Sequence, residues 1–232
     1  MTSMDPERRA RLLAARSLDA GDPTGWFERL YAATEADGGV VPWDRAAPHR
    51  LVVEWAEARG LAGGGRRALV VGCGLGDDAE YVAGLGFDTT AFDISASAIK
   101  AARRRYPDGR VRYVVADLLD PPTQWRQSFD LVVESLTLQS LPDPPRRDAI
   151  GQLGTLVAPG GTLLVNARAR DEADGPDEGL DDGPPWALTR AEIEAIALEP
   201  VLIESIREPA SSRWRAEYRR PGPESPAGPD GR

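Results

Sequence analysis

Ala68-Leu69-Val70-Val71-Gly72-Cys73-Gly74-Leu75-Gly76-Asp77-Asp78 decides the fold. Its first four residues are apolar and two are β-branched, which makes a short buried strand. The glycines at 72, 74 and 76 turn the chain sharply, because Gly accepts positive φ and lets a ligand approach bare backbone. Asp77 and Asp78 stand where they can cap a helix over 78–85. Strand, glycine turn and helix start together form a nucleotide-binding corner.

The glycine spacing is G-x-G-x-G, whereas a dinucleotide fingerprint reads G-x-G-x-x-G. Two carboxylates follow at once and would repel a pyrophosphate. They tolerate a cationic ligand better, which favours S-adenosylmethionine, with its sulfonium and ammonium, over NAD. Further strands extend the pattern. Residues 87–93 read as a second strand ending in Asp93, seventeen residues after Gly76. That is close to the roughly 20-residue offset at which an acid on the second strand reaches a ribose diol. Residues 111–117 read as a third strand ending in Asp117, and 129–134 as a fourth ending in Glu134. An open parallel sheet binds ligands beyond the carboxyl ends of its strands, where these acids and glycines collect.

This run resembles the class I S-adenosylmethionine-dependent methyltransferases over roughly residues 26–218. The closest look is to the thiopurine S-methyltransferase-like branch, whose Pro-Trp-Asp segment is matched by Pro42-Trp43-Asp44. That branch's Gly-Cys-Gly-x-Gly-x-Asp loop is matched by Gly72 to Asp78. One departure is Val70, where most class I enzymes carry an acid two residues before the first loop glycine. The resemblance implies an α/β Rossmann-like, doubly wound sheet of seven strands, mostly parallel, with an antiparallel C-terminal edge hairpin. It implies S-adenosyl-L-methionine as cofactor and S-adenosyl-L-homocysteine as its product. Cofactor contacts are expected from Trp43, Gly72, Cys73, Gly74, Gly76, Asp78, Asp93, Ile94, Asp117, Leu118 and Glu134. In the family the acid at Asp117 reaches the adenine amino group and Leu118 packs on the ring. Trp43 lies near the methionine part.

The 232 residues suit one α/β domain. The domain is expected over 26–220, after an N-terminal helical extension or lid (1–25) and before a disordered Pro/Gly-rich tail (221–232). Leu12, Leu13 and Leu18 give the first segment a weak apolar face, and a frayed terminus is the alternative. Net charge is −9, with 28 Lys and Arg against 37 Asp and Glu. An acidic balance speaks against a nucleic-acid partner. No apolar run is long enough to span a membrane and no signal peptide is visible, so a cytoplasmic protein, monomer or homodimer, is expected. One Cys and one His exclude disulfide frameworks and multi-His or Cys-rich metal sites, so no metal is expected.

His49 reads as a helix-start residue; with Asp44 and Glu134 it is one of three weak candidates for a general base. Gln139, Arg168 and Trp186 are the substrate candidates. Residues 168–186 are irregular, long and acidic, which fits a substrate lid or a solvated insertion. Residues 159–161 turn the chain into a fifth strand, Thr189 and Glu192 form a capping box, and 200–206 with 214–218 read as a hairpin. Methyl transfer to a small-molecule S, N or O acceptor is the first functional reading. A cofactor-binding regulatory protein without chemistry is the second, and a nucleotide-dependent oxidoreductase, disfavoured by the loop, is the third. The absence of a convincing base mildly favours a soft or already ionised acceptor.

Overall fold

The computed structural model describes residues 5–170, 183–209 and 211–222. Its centre is a seven-stranded sheet in the order β3-β2-β1-β4-β5-β7-β6. The strands are β1 (Arg67–Val71), β2 (Asp88–Asp93), β3 (Arg112–Val115), β4 (Phe129–Ser135), β5 (Val157–Ala169), β6 (Glu199–Arg207) and β7 (Ser212–Arg219). β1 to β5 pair in parallel, while β7 runs antiparallel to both β5 and β6. The Rossmann-like arrangement with an antiparallel C-terminal hairpin, expected from the sequence, is therefore present.

The period of two along each strand divides the core. Leu69 and Val71 of β1 and Val132 of β4 join one apolar cluster with Phe92, Trp125 and Phe129. That cluster lies under α6 (Pro145–Leu156) and the short α7 (Arg190–Glu194). Ala68, Val70, Leu131 and Val133 point the other way. There they meet Val52 and Trp55 of α3 (Arg50–Ala58), Val82 of α4 (Asp77–Gly84) and Ile99 of α5 (Ala96–Arg105). Val70, the position that is usually acidic, is thus a buried core residue.

The N-terminal segment forms two helices, α1 (Pro6–Asp19) and α2 (Gly25–Asp37). They build a third apolar cluster from Ala10, Ala14, Trp26, Leu30 and Tyr31, closed by Ala98 of α5. Glu28 of α2 fastens this layer to the sheet. Its carboxylate accepts from Ser95 Oγ (2.6 Å), Ser97 N (3.1 Å) and Ser97 Oγ (2.6 Å) at the start of α5. These bonds hold its carboxyl below its ordinary pKa against the opposing effect of burial. On the opposite edge Glu217 of β7 accepts from Trp55 Nε1 (2.8 Å) and pairs with Arg59, tying α3 to the antiparallel strand.

The capping expectations, which include Ser95 ahead of the helix after β2, part ways. Ser95 caps α5 through Ala98 N (3.0 Å), and Thr189 with Glu192 makes the full capping box of α7. Asp77 and Asp78 do not cap α4. Gly76 occupies the N-cap with φ 94° and both acids lie in the first turn. A Cβ at Gly76 would fall 2.4 Å from Tyr113 Oη, so crowding as well as φ excludes a side chain there. The lid expected at 168–186 falls largely on residues 171–182, and the expected tail on 223–232, outside the described residues. No helix among the described residues is long and apolar enough to cross a membrane.

Candidate active site

A cavity of about 320 Å³ opens beyond the carboxyl ends of β1, β2 and β4. Its floor is the glycine loop, where Gly72 (φ 55°) and Gly74 (φ 53°) need positive φ. The loop is packed as tightly as it is bent. A Cβ on Gly72 would lie 2.2 Å from Thr137 Oγ1, and one on Gly74 would lie 2.8 Å from Tyr31 Oη. Tyr31 is itself held by Trp43, whose Nε1 donates to Tyr31 Oη at 2.7 Å. Trp26, Tyr31 and Trp43 meet edge to face, Trp43 being 6.1 Å from Trp26 and 5.9 Å from Tyr31. Cys73 lies in the same wall, and burial pushes its thiol and the Tyr31 phenol well up.

Asp93 is the buried acid at the tip of β2. Its two oxygens accept from Gly74 N and Ser95 N, both at 2.9 Å. Burial nevertheless raises its pKa to about 6, against those two bonds. Ile94, Asp117 and Leu118 continue the wall, with Asp117 turned into its own loop through Leu119 N (2.8 Å). Asp78 also reaches the cavity; it accepts from His49 N at 2.6 Å, and burial raises its pKa. Asp77 receives Tyr106 Oη at 2.6 Å, which, after burial, pushes the Tyr106 phenol up to about 12.

The other end of the cavity is made by β4, β5, β7 and the start of α3. His49 is the N-cap of α3, as its place in the sequence implies. Leu51 N donates to its Nδ1 (3.2 Å), and Asn166 Nδ2 stands 2.9 Å from the same atom. A backbone N–H can only donate, so Nδ1 is the unprotonated nitrogen and the proton sits on Nε2. Burial, then the guanidiniums of Arg45 and Arg213, push the imidazole down to about 4. Gln139 lines the cavity with its Oε1 occupied by Arg168 N (2.6 Å), and Arg168 lines it beside Arg213.

Three site expectations are corrected. Glu134 is fully buried and does not reach the cavity; it turns back onto Thr137 N (2.7 Å) and Leu138 N (3.0 Å). Desolvation lifts its pKa to about 7, but it faces core. Trp186 is also buried away from the wall, with its N donating to Gln139 O (2.7 Å). Gly76 does not line the cavity either, because it serves as the N-cap of α4. Among the remaining base candidates, His49 has its lone pair engaged, and Asp44 is paired with Arg105 at 3.0 Å. Tyr31, Thr137, Arg45 and Arg213 line the site without having stood out in the sequence.

A family model described as "Methyltransferase domain" matches residues 68–161, from β1 through the turn into β5. Residues 68–161 are thus similar to a methyltransferase domain. The "Ubiquinone biosynthesis O-methyltransferase" of Xanthomonas axonopodis pv. citri is 35% identical over 141 residues, 60% of this chain. The chain spans 57% of that relative's length. Among solved structures, one concerned with conversion of a disulfide bond into a thioacetal group during echinomycin biosynthesis is 26% identical. Its TM-score is 0.63, over 79% of this chain and 86% of that one. The N-methyltransferase NodS from Bradyrhizobium japonicum WM9, in complex with S-adenosyl-L-homocysteine, shares the fold of the domain. It is 24% identical at TM-score 0.59, covering 73% of this chain and 84% of its own.

Proposed function

We propose that this methyltransferase domain transfers a methyl group from S-adenosylmethionine to a small-molecule acceptor. The observation that carries the reading is the charge and shape of the glycine-loop end of the cavity. Asp77, Asp78, Asp93 and Asp117 all reach it, an arrangement that suits a cation and opposes a pyrophosphate. The fit is also steric, since Gly72 and Gly74 lie so close to Thr137 and Tyr31 that a Cβ would close the cradle.

Asp93 would hold the ribose diol, Asp117 the adenine amino group, and Ile94 and Leu118 the faces of the ring. Trp43, Cys73, Gly72 and Gly74 would surround the methionine portion, with Asp78 toward its ammonium. When bound, S-adenosylmethionine supplies an electrophilic methyl group on a sulfonium that is its own leaving group. The chain's task is then orientation and exclusion of water, which is worth about 7–11 kcal/mol when donor and acceptor are held at attack distance. Glu7, Ala10 and Arg11 of α1 stand over the cavity, so α1 with the segment before α2 acts as a cover. With Glu134 in the core, Asp44 ion-paired and the His49 lone pair engaged, none of the three base candidates among the described residues is free to act. An acceptor that arrives ionised needs none.

The Pro42-Trp43-Asp44 segment in the cavity wall supports a thiopurine-like branch. The O- and N-methyltransferases among the relatives support the wider class, so S, N and O acceptors all belong in the test. That test is turnover of radiolabelled S-adenosylmethionine with a panel of thiols, phenols and amines. Label transfer to any acceptor is the expected result. S-adenosyl-L-homocysteine binding without any transfer would favour the non-catalytic, cofactor-binding reading.

A further inference from the structure

The two ends of the cavity differ in charge, and the residues assigned above to S-adenosylmethionine do not include the arginines of the cationic end. Arg168 of β5 and Arg213 of β7 are direct cross-strand partners. Their neighbours Ala167, Ala169 and Trp214 point into the core on the opposite face, so both guanidiniums lie on the cavity side. Like charges placed directly opposite each other destabilise a sheet. One counter-charge is present: Glu208 accepts from Arg213 Nε at 2.9 Å and also pairs with Arg50. Arg213 Nη1 remains buried with no hydrogen-bond partner, and the Arg168 guanidinium makes no ion pair or hydrogen bond among the described residues.

His49 completes the arrangement. It is 6% exposed, lines the same cavity, and its Nε2 is buried without a partner. Because Leu51 N and Asn166 occupy Nδ1, that Nε2 carries a hydrogen and is a donor looking for an acceptor. Asn166 stands two residues before Arg168 on the same face of β5, so one strand positions both the imidazole and a guanidinium. A buried donor left unsatisfied is costly, and two here are left so in one wall.

We propose that Arg168, Arg213 and the Nε2–H of His49 form an oxyanion pocket that selects acceptors carrying a carboxylate. Guanidinium forks match the planar carboxylate, and the imidazole N–H supplies a further donor. The occupant would neutralise the Arg168–Arg213 repulsion and satisfy both orphan donors at once. Asp78, on His49 N, and Glu208, on Arg213, are acids bonded to residues of this pocket, and both are already engaged. The assignment rests on the methyl-transfer reading for the word acceptor, but the anion preference can be read without it. A carboxylate at this end could instead belong to the cofactor's own methionine portion, and the experiment separates the two.

The protein, saturated with S-adenosyl-L-homocysteine, is titrated calorimetrically with benzoate against benzamide, and with phenylacetate against phenylacetamide. Each carboxylate should bind at least about tenfold tighter than its amide, the scale of one charge-assisted hydrogen bond. Arg213→Gln and Arg168→Gln should each erase that preference while S-adenosyl-L-homocysteine affinity stays within about twofold. Arg168→Gln keeps the test sound if loss of the Glu208 pairing unfolds the Arg213 variant. Equal or undetectable binding of both members of every pair overturns the proposal. So does a carboxylate preference that survives both substitutions. A tenfold or greater loss of S-adenosyl-L-homocysteine affinity in these variants also overturns it, by giving the pocket to the cofactor's carboxylate. If the wild-type protein binds no S-adenosyl-L-homocysteine, the methyl-transfer reading fails by itself. The same titrations on the ligand-free protein then still decide whether the oxyanion pocket exists.

Discussion

Asp93→Ala is the substitution whose consequences separate binding from stability. In the native protein burial raises the Asp93 carboxyl from 3.8 to about 6. At roughly 1.4 kcal/mol per pKa unit, ionised Asp93 costs the ligand-free fold about 3 kcal/mol at pH 7. Removing the carboxylate relieves that cost but strands Gly74 N–H and Ser95 N–H, each worth about 1–3 kcal/mol. The two stranded donors together cost about 2–6 kcal/mol, so the variant should lie between about 1 kcal/mol more stable and about 3 kcal/mol less stable than wild type at pH 7. The sign with pH follows from the raised value. A carboxyl with a higher pKa in the folded state binds its proton more tightly there, so wild-type stability falls as pH rises from 3.8 to about 6 and is level above. The variant lacks that slope, and the gap between the two proteins should widen toward pH 4. Ligand binding behaves in the opposite way. A diol accepted by the carboxylate needs the ionised form, so S-adenosyl-L-homocysteine affinity should weaken below about pH 6 in wild type. In Asp93→Ala it should be about 10- to 150-fold weaker at pH 7 and flat with pH. Urea unfolding at two pH values and calorimetric titration read both quantities. A folded variant with unchanged affinity, or one destabilised by more than about 4 kcal/mol, would refute the reasoning by making Asp93 a structural acid alone.

Gly72→Ala should destabilise by about 2–5 kcal/mol, from φ 55° and the 2.2 Å approach to Thr137 Oγ1. Adding Thr137→Ala should return about 1–3 kcal/mol of it, and strictly additive urea midpoints would show that the two do not collide. Tyr31→Phe leaves Trp43 Nε1 without its acceptor. It should cost about 1–3 kcal/mol and weaken S-adenosyl-L-homocysteine binding; a variant changed in stability but not in affinity would remove Trp43 from the cofactor wall. Glu217→Ala breaks the bonds from Trp55 and Arg59. It should destabilise by roughly 1.5–3 kcal/mol with no change in ligand affinity, because the pair lies away from the cavity.

The fold was legible because its signals are local. Leu69 and Val71 alternate with Ala68 and Val70, and the glycines that follow leave few ways to turn a buried strand into a helix. Ser95, Thr189 and Glu192 announce caps within four residues of themselves. The cavity wall was legible where strand ends carry it, as at Gly72 to Gly74 after β1 and at Asp93 on β2. It was not legible where the partner lies far along the chain. Asp77 and Asp78 have the chemistry of caps, yet Tyr106 and His49, each 29 residues away, take their carboxylates. Arg213 joins Arg168 only through the antiparallel register of β7 on β5. Glu134 failed differently: at the tip of a central strand it shared the position of a ligand acid. Its bonds to residues three and four further on turn it into the core. His49 carried a partial signal, since a histidine before a helix is a cap and Leu51 N fixes its tautomer, but its contact with Asn166 of β5, 117 residues away, was not legible.

The central claim is that the acids and glycines beyond β1 to β3 hold an adenosyl sulfonium and reject a pyrophosphate. Calorimetric titration of the purified protein with S-adenosylmethionine, S-adenosyl-L-homocysteine and NAD tests it most directly. The account predicts binding of the first two at one site per chain and no heat with NAD. NAD binding, or a folded protein silent to both adenosyl ligands, would contradict it.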